Sequence, residues 1–131
     1  MEYDPGDPPG EVLAFLTERH LATLTVQRAD GSPQVTPVGV TYEPGRCLAR
    51  VITWSGAFKA RSVAARPNQQ VAVCQVDGGR WLTLYGTATV TDAAARVAEG
   101  VERYGERYRQ PKARDDRVVI EIDVDRLIGR A

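Results

Sequence analysis

Residues 69–90 read QQVAVCQVDGGRWLTLYGTATV. Two runs of alternating character flank Asp77-Gly78-Gly79-Arg80. In the second run Leu82, Leu84, Ala88 and Val90 share one face, and Trp81, Thr83, Tyr85, Thr87 and Thr89 share the other. A period of two is that of a strand with one face buried. Asp-Gly between two such runs is a hairpin turn, because glycine adopts the positive φ that a tight turn between right-twisted strands needs. The stretch therefore predicts two adjacent antiparallel strands.

The same pattern continues outward. Residues 93–109 carry Ala93, Val97, Val101, Tyr104 and Tyr108 at helical spacing, weakened by Gly100 and Gly105. A loop, PKARDD, leads to a last strand over 117–124, with Val118, Ile120, Ile122 and Val124 facing one way. Upstream, residues 57–66 read as a short helix that Pro67 ends. Strands are expected over 47–53, 33–42 and 20–27, separated by EPGR and ADGS turns. Pro33 and Pro37 mark 33–42 as an edge or a bulge. Residues 11–19 read as a helix, and residues 1–10, rich in Pro, Gly and Asp, as a flexible arm. The expected organisation is one domain over 11–131. It is mainly β, with about six antiparallel strands and flanking helices. Few helices and short turns favour a small closed or split barrel, since closure removes exposed edges.

Composition narrows the function. The chain has 131 residues, with 17 basic against 17 acidic side chains and no net charge. No bulk positive field exists to attract nucleic acid or an anionic membrane. No apolar run approaches the ~20 residues of a membrane span, and no secretory pattern opens the chain, so the cytoplasm is expected. Cys47 and Cys74 are isolated among apolar residues and read as reduced thiols. His20 is the single histidine and reads as a surface or capping residue. One histidine and two separated cysteines provide no zinc set and no Ser–His or Cys–His pair. No catalytic side chain can be named, so an enzyme built on this chain would rely on a cofactor.

The stretch VITWSGAFKARSVAARP, residues 51–67, carries the clearest ligand signal. A strand passes through Ser55, Gly56 and Ala57 into a helix start that bears Lys59. The first turn of a helix offers free N–H groups and the positive end of the dipole, and small residues let a ligand approach the backbone. A phosphate suits this place. Lys59 and Arg66, seven residues apart, would share a face, whereas Arg61 points elsewhere. A solvated basic helix is the competing reading, and both remain open on these features alone. Trp81, just after a turn, reads either as a wall for a ring ligand or as a cover for the core edge. Pro37 either frees backbone groups for a ligand or simply marks an edge strand.

Taken together, these segments resemble the split β-barrel flavin and deazaflavin oxidoreductases, the pyridoxamine 5′-phosphate oxidase-like superfamily. The likeness runs over about residues 12–128. The stretches CQVDGGRWLTLYG and RVVIEIDVDRLIG look closest to the actinobacterial branch that uses coenzyme F420. The resemblance implies a homodimer with two cofactor sites at the interface. It implies that Val51, Ile52 and Thr53 lie beside the tricyclic ring, with Pro37 and Val38 near it. Ser55, Gly56, Lys59 and Ala60 would hold the phosphate, and Trp81 would be contributed across the dimer. FMN is the alternative cofactor. The FMN oxidases place an Arg–Lys pair where this chain has Phe58–Lys59, and the sequence stops at Ala131, short of the C-terminal segment that pyridoxal-phosphate-binding members use. The implied chemistry is hydride transfer from reduced F420 to a small conjugated substrate, biliverdin among the candidates. A non-catalytic cofactor- or tetrapyrrole-binding protein is the other alternative.

Overall fold

The hairpin of residues 69–90 lies in the middle of an eight-stranded sheet in which every pairing is antiparallel. In the computed structural model, which describes residues 1–131, the chain runs β1 (Glu2–Tyr3), α1 (Gly10–Thr17), β2 (Ala22–Gln27), β3 (Pro33–Val38) and β4 (Thr41–Glu43). It continues through a 3-10 turn at Pro44–Arg46 to β5 (Leu48–Trp54), α2 (Phe58–Ala65), β6 (Gln69–Asp77), β7 (Arg80–Thr91), α3 (Ala94–Arg107) and β8 (Arg117–Arg130).

The strands lie side by side in the order β3-β2-β6-β7-β8-β5-β4. The two outermost strands, β3 and β4, are consecutive in the chain and separated only by Gly39 and Val40. An extended residue spans at most ~3.6 Å, so Val38 and Thr41 lie within about 11 Å. The sheet must therefore curl until its edges face each other. No ladder joins them, and the barrel is split along that seam.

Six strands were expected where eight are present. The run 33–42 breaks at Gly39–Val40 because side chains serve its backbone there. The Tyr108 phenol accepts the Val40 N–H at 3.1 Å and donates to the His20 carbonyl at 2.6 Å. A Cβ on residue 39 would lie 2.6 Å from the Tyr104 ring, so only glycine lets α3 come this close.

The last strand reaches Arg130 rather than Val124. Tyr85 pairs with Arg126 and Gly86 with Val124, which leaves Asp125 as the extra residue of a β-bulge. The core-facing series Ile120, Ile122, Val124 therefore resumes at Leu127. Beyond Asp123 this strand has a free edge, and β1 occupies it, with Glu2 opposite Ile128. The Met1 ammonium also donates to the Gly129 carbonyl at 3.1 Å, and the Tyr42 hydroxyl to the Pro5 carbonyl. The N-terminal residues thus lie along the sheet, where a loose arm was expected.

Phe15, Leu24, Leu82, Leu84, Ile120, Ile122 and Leu127 fill the barrel and are fully buried. Each contributes roughly 1.5–3 kcal/mol relative to exposure. Helix α2 is fixed by polar contacts. Ser62 donates to the Gln27 carbonyl at 2.7 Å, and buried Gln69 joins the Ser62 carbonyl to the Gln27 N–H. Helix α3 lies outside β5 and β8 on Gly100, where a Cβ would stand 3.0 Å from Val119 and 3.1 Å from Ile52. Its expected apolar stripe is half-buried at Val97, Val101, Tyr104 and Tyr108, and Ala93 is exposed.

Candidate cofactor site

The seam has a wide part. Strand β4 pairs with β5 only through Leu48–Arg50, so Ile52, Thr53 and Trp54 have no partner strand on that side. Across the gap lies the end of β3. A cavity of about 200 Å³ opens between them. Its walls are Pro37, Val38 and Gly39 from β3 and its exit, Ile52, Thr53 and Trp54 from β5, and Lys59 from α2. Tyr104 of α3 and Pro111 and Arg117 around the last loop complete it. Five expected site residues, Pro37, Val38, Ile52, Thr53 and Lys59, thus meet in one place. The Thr53 hydroxyl is buried and has no hydrogen-bond partner. A buried hydroxyl left this way is a ready contact for a polar ligand atom.

Lys59 is the second residue of α2. Its ammonium stands 5.5 Å from the centre of the Trp54 ring, against which the Arg114 guanidinium also packs, at 5.0 Å. Partial burial lowers the Lys59 pKa from the ordinary lysine value. The residue before the helix, Ala57, offers no side-chain cap, and the backbone N–H groups of Phe58, Lys59 and Ala60 have no acceptor within the chain. Three free donors, the positive end of the helix dipole and one ammonium are groups whose chemistry suits an anion.

The other expected residues are placed differently. Ser55 and Ala60 line a second cavity of about 280 Å³, with Val90 and Val118 among its walls. The Ser55 N–H is already bonded to the Asp116 carbonyl at 2.9 Å. Gly56 is exposed beside the Trp54 ring. Val51 turns its side chain into the core, so only its backbone is open to a ligand. Trp81 stands at the β6–β7 hairpin, paired with Val76 and Arg130, and is not among the residues around the seam cavity. Arg66, expected to share a face with Lys59, lies just past the end of α2 and donates to the Gln27 carbonyl and to Ser62 Oγ. It holds the helix on the sheet.

Trp54, Tyr104 and Arg117 were not foreseen in the site. Tyr104 had a sequence signal, since it belongs to the apolar stripe of α3, but nothing in the sequence shows that this stripe borders the seam. Gly39→Ala tests the arrangement. The new methyl drives the Tyr104 ring off the cavity wall. The ring is half-exposed and can move, so a stability loss of only about 1 kcal/mol is expected. Ligand affinity at the seam should fall several-fold, read by fluorescence titration beside a melting curve.

His20, Glu18 and Asp77 also come together, with ligand atoms within 4.8 Å of one another. Arg80 already occupies this cluster, 2.8 Å from Glu18 and 2.7 Å from Asp77. Hydrogen bonds from Arg80, then from His20, hold the Glu18 carboxyl down at about 2. The group is an ion network, already neutralised.

Residues 8–130 match the family described as pyridoxamine 5′-phosphate oxidase. The chain belongs to this family. Within it, the chain is 47% identical over 121 residues to the F420H(2)-dependent biliverdin reductase of Mycobacterium tuberculosis, a match covering 92% of this chain and 87% of that protein. A solved F420 reductase superimposes with a TM-score of 0.72 at 24% identity, over 93% of this chain and 98% of that one. A conserved hypothetical protein of M. tuberculosis gives a TM-score of 0.78 at 19% identity, over 95% and 84%. At these identities the two structures establish the split-barrel fold of the family and no more. No helix is long and apolar enough to cross a membrane.

Proposed function

We propose that this member of the pyridoxamine 5′-phosphate oxidase family is an F420-dependent reductase, with biliverdin as its substrate. The observation that carries the reading is the seam cavity, in which Lys59, from the unpaired first turn of α2, faces a wall of Pro37, Val38, Ile52 and Thr53. The 47% identical relative supports the choice of cofactor and substrate.

The residues fit the group. Lys59 and the N–H groups of Phe58 and Ala60 would hold its phosphate, with Ser55 and Gly56 leaving the approach open. Pro37, Val38, Ile52 and Thr53 would flank the ring, with Val51 contributing backbone only. Bound in its reduced form, F420 supplies a hydride from its deazaflavin ring. The chain's own task is to orient the ring, exclude water and seat the substrate against one face. No side chain at the seam is committed as an acid, so the accompanying proton would come from solvent or from an arginine near the pocket.

One chain supplies only part of the walls. Ligand pockets usually enclose ~300–1,000 Å³, and the seam cavity holds about 200 Å³. Val35, Val76, Trp81 and Tyr85 project from the sheet away from the core and are exposed. They form an uncharged face that a second copy of the chain would cover, bringing its Trp81 toward the site. A homodimer has twice the 14.3 kDa chain mass. Val76→Glu, which places a charge in that face, should shift the light-scattering mass to the monomer and weaken F420 binding at least tenfold. A dimer that survives this change removes the face from the interface.

Titration with F420 and separately with FMN, followed by fluorescence, tests the cofactor. Micromolar binding of F420 with weak binding of FMN is expected, and preference for FMN would overturn the deazaflavin assignment. Consumption of reduced F420 on addition of biliverdin then tests the activity. Tight cofactor binding without turnover would identify a binding protein.

A further inference from the structure

Tyr104 does not border the seam cavity alone. The same ring lines two more cavities, of about 360 and 350 Å³. Pro111 is shared between the seam cavity and one of these, and Arg109 between the two. The three form one groove that leaves the seam and passes along Tyr104 and Tyr108, whose rings pack at 4.9 Å.

The charge of this groove is one-sided. Lys59, Arg117, Lys112, Arg109 and Arg19 line it, and no carboxylate does. Of the twelve other basic side chains six, Arg50, Arg80, Arg96, Arg103, Arg114 and Arg126, are in ion pairs. None of the five groove cations has an acidic partner within 4.0 Å. In a chain with no net charge, gathering five unneutralised cations around one groove creates a local field that draws in an anion. Lys59 lies at the α2 end and is engaged by the phosphate if the seam holds the cofactor. Arg109, Lys112 and Arg19 lie beyond Tyr104 and remain free for a second molecule.

We infer that this groove is the substrate subsite, and that it takes a flat conjugated molecule carrying two or more carboxylates. The aromatic rings of Tyr104 and Tyr108 give the conjugated body a surface, and Arg109, Lys112 and Arg19 receive the acids. Arginine suits this role through its bidentate fork. The inference rests on the reading that the cofactor ring occupies the seam.

The test separates the two. Cofactor-free protein is titrated with biliverdin and with biliverdin dimethyl ester, followed by intrinsic tryptophan fluorescence. The free acid should bind at least tenfold more tightly than the ester. The double variant Arg109→Gln, Lys112→Gln should lose roughly tenfold or more in affinity for the acid, as expected for lost charge-assisted bonds, and keep its affinity for the ester. Both side chains are exposed and make no hydrogen bonds, so the variant should fold, and its F420 affinity should be unchanged. Equal binding of acid and ester by the unaltered protein, or an undiminished preference in the variant, overturns the inference. So does a variant that loses affinity for F420 but not for the cofactor lacking its glutamate tail, because the groove would then belong to that tail. Failure of the unaltered protein to bind F420 defeats the reductase reading alone and leaves the acid–ester comparison to decide the groove.

Discussion

Lys59→Ala is expected to raise the F420 dissociation constant roughly 10- to 150-fold, or ~1.5–3 kcal/mol, by removing a charge-assisted bond to phosphate. The fold should survive, because Lys59 makes no ion pair and its loss leaves no buried charge behind. The pH dependence carries a second signature. Burial depresses the Lys59 pKa in the free protein, and a bound phosphate would favour the protonated form and raise it. Affinity should therefore be full while free Lys59 is protonated, and decline as pH rises through its depressed pKa. The alanine variant should lack that decline. An unchanged dissociation constant would remove phosphate from the start of α2.

Gly86→Ala should be a severely damaging substitution. A Cβ there would lie 2.1 Å from the Asp123 carbonyl oxygen, a backbone atom held in the β5–β8–β7 ladder. Neither strand can yield without breaking register at the Asp125 bulge. A loss of about 3 kcal/mol or more is expected, which lowers the melting temperature by about 10 °C. Gly105→Ala makes the contrast. Its nearest neighbour is the Gln110 side-chain oxygen at 3.3 Å, which can rotate away. Removing a glycine from a helix should then stabilise by roughly 0.5–1 kcal/mol. Equal melting temperatures for the two variants would show that the β7–β8 crossing is looser than its geometry implies.

The alternation in 69–90 and 117–124 made the central strands legible, because each has one face in the core. The edges were less so. Residues 33–42 alternate well enough to read as one strand, and what divides them is the hydroxyl of Tyr108, the residue that follows α3. The end of β8 was hidden by the bulge, since an extra residue at Asp125 shifts the parity by one. A two-residue strand such as Glu2–Tyr3 has no periodicity to detect. At the site, Lys59 and the small residues before it carried a local signal, a helix start after a strand. Tyr104 showed only as part of the α3 stripe, and Trp54 and Arg117 not at all, because their meeting at the seam depends on how the end of β5, α3 and the last loop come together. Arg66 was misplaced because the helix stops one residue before it.

The partial pairing of β5 has a mechanical meaning. Up to Arg50 the strand is clamped between two neighbours, and from Val51 to Trp54 it is held on one side only. It is a cantilever, rooted in the barrel and free toward the seam. A planar guest entering at the free end displaces a few residues whose backbone bonds on that side were never made. The clamped root and the packed interior behind it need not move. The aperture can therefore be compliant in a barrel that is otherwise stiff.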